Sequence, residues 1–143
     1  MEGLRRRNVR LDSYTCKMCG EEEETVDHLF VGCQLALAVW DFIADWTRCL
    51  RLFAFTVKDI INLHKNVRGS RRWKQLLQLI ILVALWGIWR CRNDRVFKDK
   101  EPNFEGLKQE IRQLGFLWFK NRAKRHSVTW VQRCNMDTYS MDL

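Results

Sequence analysis

A mainly α-helical fold, a bundle of about four helices behind a small cysteine-rich knuckle, is what the sequence predicts. Three observations lead there. The 143 residues include one proline and seven glycines, too few turn-formers for a many-stranded sheet. Apolar residues make up 47% of the chain, with seven tryptophans and eight phenylalanines among them; that is enough for one core and argues against disorder. Apolar positions also recur at intervals of three and four in four separate stretches, the mark of amphipathic helices.

The knuckle comes first, in "CKMCGEEEETVDHLFVGC", residues 16–33. Cys16, Cys19, His28 and Cys33 follow the spacing C-x2-C-x8-H-x4-C. A two-residue gap lets one tight turn bring two thiolates to a single ion, and Gly20 tolerates the positive φ such a turn needs. Thr25 can cap one helical turn that presents His28, and Gly32 can end it before Cys33. Three thiolates and one imidazole complete a tetrahedral shell and leave no position for a reactive water. The expectation is one structural Zn2+, not a catalytic one. Ordinary core cysteines are the plainer alternative, but CxxC paired with HxxxxC is a specific constellation. The glutamates at 21–24 read as the solvated tip of the loop between ligand pairs, where they would repel phosphate.

Four helices follow. The first spans about 34–49, with Ala36, Val39, Trp40, Ile43 and Trp46 on one face. A short second one starts at Thr56, which forms a capping-box variant with Asp59 and leads into Ile60, Ile61 and Leu63. The third, 70–97, has Ser70 as its N-cap and Trp73, Leu77, Ile80, Ala84, Ile88 and Trp89 inward, and Trp40 and Trp46 should face it. Pro102 stops the chain. Asn103 then caps a fourth helix with Phe104, Leu107, Ile111, Leu114 and Trp118 inward. "SVTWVQ", residues 127–132, reads as a short strand or an extended tail.

Charge and hydropathy bound the function. The net charge is +8, but it is segregated: residues 65–133 hold 17 Lys+Arg and 5 Asp+Glu, whereas residues 1–64 are at −2. Such a basic segment suits a polyanion. The first fifteen residues contain no apolar stretch of the secretory kind, so an intracellular protein is expected, with its cysteines binding metal before forming disulfides. The most apolar run, residues 76–89, would span about 21 Å as a helix, short of a bilayer core of roughly 30 Å. It reads as a buried helix with no membrane partner.

The stretch "LRRRNVRLDSYTCKMCGEEEETVDHLFVGCQLALAVWDFIADW" resembles the zinc-binding domain at the C-terminal end of plant non-LTR (LINE-type) retrotransposon reverse transcriptases. The positions that carry the resemblance are Cys16, Cys19, Gly20, Glu24, Thr25, His28, Leu29, Phe30, Cys33, Val39 and Trp40. "WGIWRCRNDRVF", residues 86–97, is similar to a Trp-rich stretch that often follows in that family. Lys17 stands where the family often has proline. The family's domain also starts some forty residues earlier, so the chain looks like a fragment of a retroelement polyprotein opening at an internal methionine. The resemblance implies an N-terminally truncated zinc-binding domain over residues 1–49 and a basic helical C-terminal region over residues 50–143.

Polymerase chemistry is not expected. No adjacent Asp-Asp pair occurs, and that pair is what would hold two Mg2+ ions. HExxH, GxSxG and GxxxxGK[ST] are likewise missing from the sequence. Cys49, Cys91 and Cys134 read as inert thiols. The expected role is a non-catalytic zinc module assisting template RNA or target DNA binding beside the polymerase part of the polyprotein. The candidate contacts are Arg68, Arg71, Arg72, Lys74, Arg90, Arg92 and Arg95, with Trp73, Trp86 and Trp89 as core residues or, alternatively, stacking residues. For Arg92 and Asn93 the plainer expectation is local: bonds to helix-end carbonyls and neighbouring backbone. A zinc-stabilised scaffold domain and a retroelement remnant without a role are the competing readings.

Overall fold

The computed structural model of the chain describes residues 14–49 and 54–122. The basic cluster at Arg5, Arg6, Arg7 and Arg10, the 127–132 stretch and Cys134 lie outside them. The order is the cysteine-rich knuckle with a π-helical turn at His28–Gly32, then α1 (Gln34–Thr47), α2 (Val57–Asn66), α3 (Arg71–Lys98) and α4 (Phe104–Arg122). It is a mainly helical fold with the CCHC knuckle in front of a helix bundle.

Local chemistry sets the helix ends. Thr56 Oγ1 accepts from the Asp59 N–H at 3.2 Å while the Asp59 carboxylate takes the Thr56 N–H at 3.0 Å, a reciprocal capping box that starts α2. The Ser70 hydroxyl accepts from Trp73 N–H to open α3, and Asn103 Oδ1 does the same for Gly106 at the start of α4. α1 ends two residues earlier than its periodicity suggests, because Arg48 turns left-handed with φ 51°. α3 closes in the same manner at Asp99, φ 48°, where the Asp99 and Lys100 N–H groups both reach the Asp94 carbonyl.

α3 is the central element, packed chiefly on α4 and α2. Its Leu77, Ile80, Ile81, Ala84 and Ile88 are wholly buried and join Ala36, Val39 and Ile43 of α1, Ile60 of α2 and Leu107 and Ile111 of α4. Cys16, Leu29, Val31 and Cys33 belong to the same core, so the buried set runs unbroken from the knuckle into the basic helical region. By length and composition α3 could cross a membrane; in the fold one of its faces is the core of the bundle.

Several inward assignments need correction. Trp40 and Trp46 are buried in the core they share with α3, as expected, and Trp40 also donates its indole N–H to the Phe30 carbonyl of the knuckle at 2.8 Å. Trp46 lies against α4, where the missing side chain of Gly115 lets it and Ile80 approach the helix backbone. Trp86, Trp89 and Trp118 are exposed. Trp89 is one residue, about 100° of helix, past the buried Ile88, and that rotation carries it out of the core.

Gly69 is a position where glycine is required. Its φ is +138°, and an added Cβ would fall 2.4 Å from Cδ1 of the buried Trp73 ring. An indole packed in a core cannot yield as a flexible side chain can. Gly69→Ala is therefore expected to cost about 1–3 kcal/mol, read as a lower midpoint in urea unfolding with an unchanged slope; an unchanged midpoint would refute this account of the α2–α3 turn.

Candidate metal centre

The knuckle is built from short backbone bonds. Gly20 N–H reaches the Cys16 carbonyl at 2.8 Å with Gly20 at φ 74°. Cys16 N–H reaches the Glu22 carbonyl at 2.7 Å, and Glu24 N–H reaches Tyr14 at 2.8 Å, closing the loop around an antiparallel bridge between Thr15 and Glu23. Thr25 Oγ1 then accepts from His28 N–H at 3.0 Å and starts the turn that presents the imidazole. Because this turn is π-helical, Cys33 N–H bonds the His28 carbonyl at 2.6 Å, and Cys33 becomes the N-cap of α1. The wider turn brings a residue five positions after His28 back to the same point.

These bonds bring Cys16, Cys19, His28 and Cys33 together, their four ligand atoms all within 4.8 Å of one another. Cys16 and Cys33 sulfurs are 3.9 Å apart, and Cys19 Sγ is 3.3 Å from His28 Nε2. A tetrahedron with Zn–S bonds of about 2.3 Å has S–S edges of about 3.8 Å, so the donors fit a single zinc. Cys16, Cys33 and the His28 side chain are buried, while Cys19 is partly so.

The cluster's electrostatics suit a cation. The Cys16 thiol is drawn down to about 5, first by the Cys33 S–H, with burial opposing and the Met18 and Cys19 N–H groups helping. Cys33 is pushed up by that same bond and by burial. The pair thus releases its first proton easily and holds its second. Burial lowers His28, but its bonds to Cys19 and Cys16 outweigh this and leave it raised. A metal binding here displaces the remaining protons. Glu22 lies 3.0 Å from His28 Nδ1, near enough for charge attraction though not aligned as a hydrogen bond, a natural second contact for a ligating imidazole.

One glutamate of the acidic run does not sit at a solvated tip. Glu21, Glu22 and Glu23 are exposed, but Glu24 is 2% exposed. Its carboxylate receives Arg92 Nη2 at 2.7 Å and Nε at 3.2 and 3.3 Å. Burial pushes the Glu24 pKa up, while the hydrogen bonds and charge of the Arg92 guanidinium pull it down, and the group ends below its ordinary value. Arg92 therefore binds the zinc loop rather than helix-end carbonyls, and it also donates to Asn93 Oδ1 at 3.2 Å. Asp27 adds a second tie, accepting from Val57 N–H at 2.8 Å at the start of α2.

The other cationic candidates are dispersed. Arg90 is held bidentately by Glu110, and Arg95 by Glu101 with Asp99 at 3.6 Å. All three are thus paired with carboxylates of the chain, Arg92 in a buried pair and Arg90 and Arg95 in pairs at the surface. Arg68, Arg71 and Arg72 are exposed at the start of α3, and Lys74 is half-buried and donates to the Lys65 carbonyl at 3.2 Å. The knuckle and this basic end are separate features of the surface. Burial pushes the Cys91 thiol up, a poor setting for a nucleophile, and His64 Nδ1 is engaged by the Ile61 carbonyl at 2.9 Å.

Residues 1–40 match the family described as zinc-binding in reverse transcriptase. All four ligands fall inside that match, so the chain carries a zinc-binding domain related to this family, with a CCHC cluster able to coordinate one structural zinc. The domain is non-catalytic: four protein donors complete the shell, and no position is left for substrate. Neither the curated proteins nor the solved structures gave a match.

Proposed function

We propose that the chain is the zinc-stabilised accessory module of a reverse transcriptase of the plant non-LTR type, holding template RNA or target DNA for the polymerase part of the same polyprotein inside the cell. The observation that carries this is the convergence of Cys16, Cys19, His28 and Cys33 on one ion site within the matched residues. The nucleic-acid part draws support from charge: residues 65–133 are at +12, and Arg68, Arg71 and Arg72 are exposed at one end of α3. The acidic loop at Glu21–Glu23 makes the knuckle a poor phosphate contact.

A salt titration tests it. Log affinity for single-stranded RNA should fall with log salt by about 0.7 per phosphate contact, so replacing Arg68, Arg71 and Arg72 by alanine should flatten the slope by up to about 2 units. Glu21→Gln with Glu23→Gln should leave the slope unchanged; Glu24 is kept because it is internal. Loss of binding from a folded, zinc-loaded variant of the knuckle surface, with the arginine variants unaffected, would move the contact surface elsewhere. No binding at low salt would favour the scaffold reading.

A further inference from the structure

We infer that the outward face of α3 is a single-strand site, where unpaired bases stack on Trp86 and Trp89 and the strand's phosphates run toward Arg71. It rests on the nucleic-acid reading above and says which face, and which form of nucleic acid, that reading requires. Ile80, Ala84 and Ile88 are completely buried, yet on the same helix Leu82 is 45% exposed, Trp86 55%, Trp89 44% and Phe97 76%. At about 100° per residue, Leu82, Trp86, Trp89, Asn93 and Phe97 fall within an arc of about 80° opposite the core. Arg71 lies on that arc. Trp86 and Trp89 are already stacked, ring centroids 5.0 Å apart and planes 30° from parallel, so the pair keeps aromatic surface toward solvent at little ordering cost.

Charge decides the occupant. From position 71 to 93 the helix has no Asp or Glu, and Arg71, Arg72 and Lys74 crowd its first turn. A second copy of α3 would set cations against cations, whereas a polyanion complements them. Arg90 and Arg92 are engaged by Glu110 and Glu24, which leaves the phosphate contacts to the Arg71 end. From Arg71 to Trp86 is about 22 Å of helix, the length of roughly six stacked nucleotides at 3.4 Å each. A duplex hides its base faces, so single strands are selected.

The test is binding of labelled eight-nucleotide RNA, single-stranded or annealed to its complement, to the zinc-loaded chain, followed by fluorescence anisotropy. Trp86→Ala with Trp89→Ala should weaken single-strand affinity at least about fivefold and leave duplex affinity unchanged, while Trp86→Phe with Trp89→Phe keeps most of the single-strand affinity. Both positions are exposed, and helical circular dichroism confirms that the variants fold. If single strand and duplex bind alike and the alanine changes alter neither, the inference is overturned and the electrostatic reading stands. If neither RNA binds, the inference falls together with the RNA half of the nucleic-acid reading. If the alanine changes dissociate a dimer in sedimentation while RNA affinity holds, the face belongs to a second copy and the inference is wrong.

Discussion

Removing zinc from the Cys16–Cys19–His28–Cys33 cluster is expected to cost more stability than any other single change to the chain. Structural zinc sites in finger peptides have apparent binding free energies of roughly 10–16 kcal/mol, comparable to the roughly 5–15 kcal/mol that holds a whole domain together. The geometry indicates where the loss is felt. Leu29, Val31 and Cys33 lie in the common core, and Trp40 is tied to the Phe30 carbonyl, so the knuckle and the start of α1 should lose protection first. α3 and α4 share their own buried contacts, including Leu107 and Ile111 against the α3 face, and should persist as a looser pair. Elemental analysis should find one zinc per chain. Chelation, or Cys19→Ser, should then reduce helicity only in part, with amide exchange rising sharply in the 14–47 segment and less in 71–122. Uniform protection after complete chelation, or cooperative unfolding unchanged in Cys19→Ser, would rule out a structural metal.

The sequence was informative where the physics is local. The C-x2-C and H-x4-C spacings, the Thr56–Asp59 box, the Ser70 and Asn103 caps and the α1 face from Ala36 to Trp46 all depend on residues within one or two turns of each other. The assembled structure has each of these features. What sequence reading missed is decided at long range. The resemblance marks Glu24 among four consecutive glutamates, but charge and spacing give no physical reason for it until Arg92, 68 positions away, reaches it. α3 misled for another reason: it is apolar on its outer face as well as its inner one, and a helix apolar all round gives periodicity little contrast with which to orient Trp86 and Trp89. The arginines at 90, 92 and 95 have the same composition as an open basic surface, and only their carboxylate partners reveal the difference.

Glu24→Gln is expected to destabilise the fold by about 3–5 kcal/mol, the usual effect of removing one partner from a buried ion pair and leaving the other charge uncompensated. Both side chains are well shielded, 2% exposed for Glu24 and 13% for Arg92, and the pair joins the zinc loop to the middle helix of the bundle. The pH dependence has a definite sign. Because the Glu24 pKa is lowered on folding, its contribution is fully present above the unfolded carboxylate value and is lost as pH falls through the depressed folded value. Acid also returns protons to the zinc ligands in both proteins, so the Glu24 contribution is the difference between them: wild type should lose more stability than Glu24→Gln as pH falls below about 4.5. Replacing both partners, Glu24→Leu with Arg92→Met, removes the buried charge altogether and should recover part of the loss. Urea unfolding of the three proteins at several pH values measures all of this. Equal stability of Glu24→Gln and wild type at pH 7, or an acid slope identical in the two, would mean that the loop and α3 are held together by their apolar contacts alone.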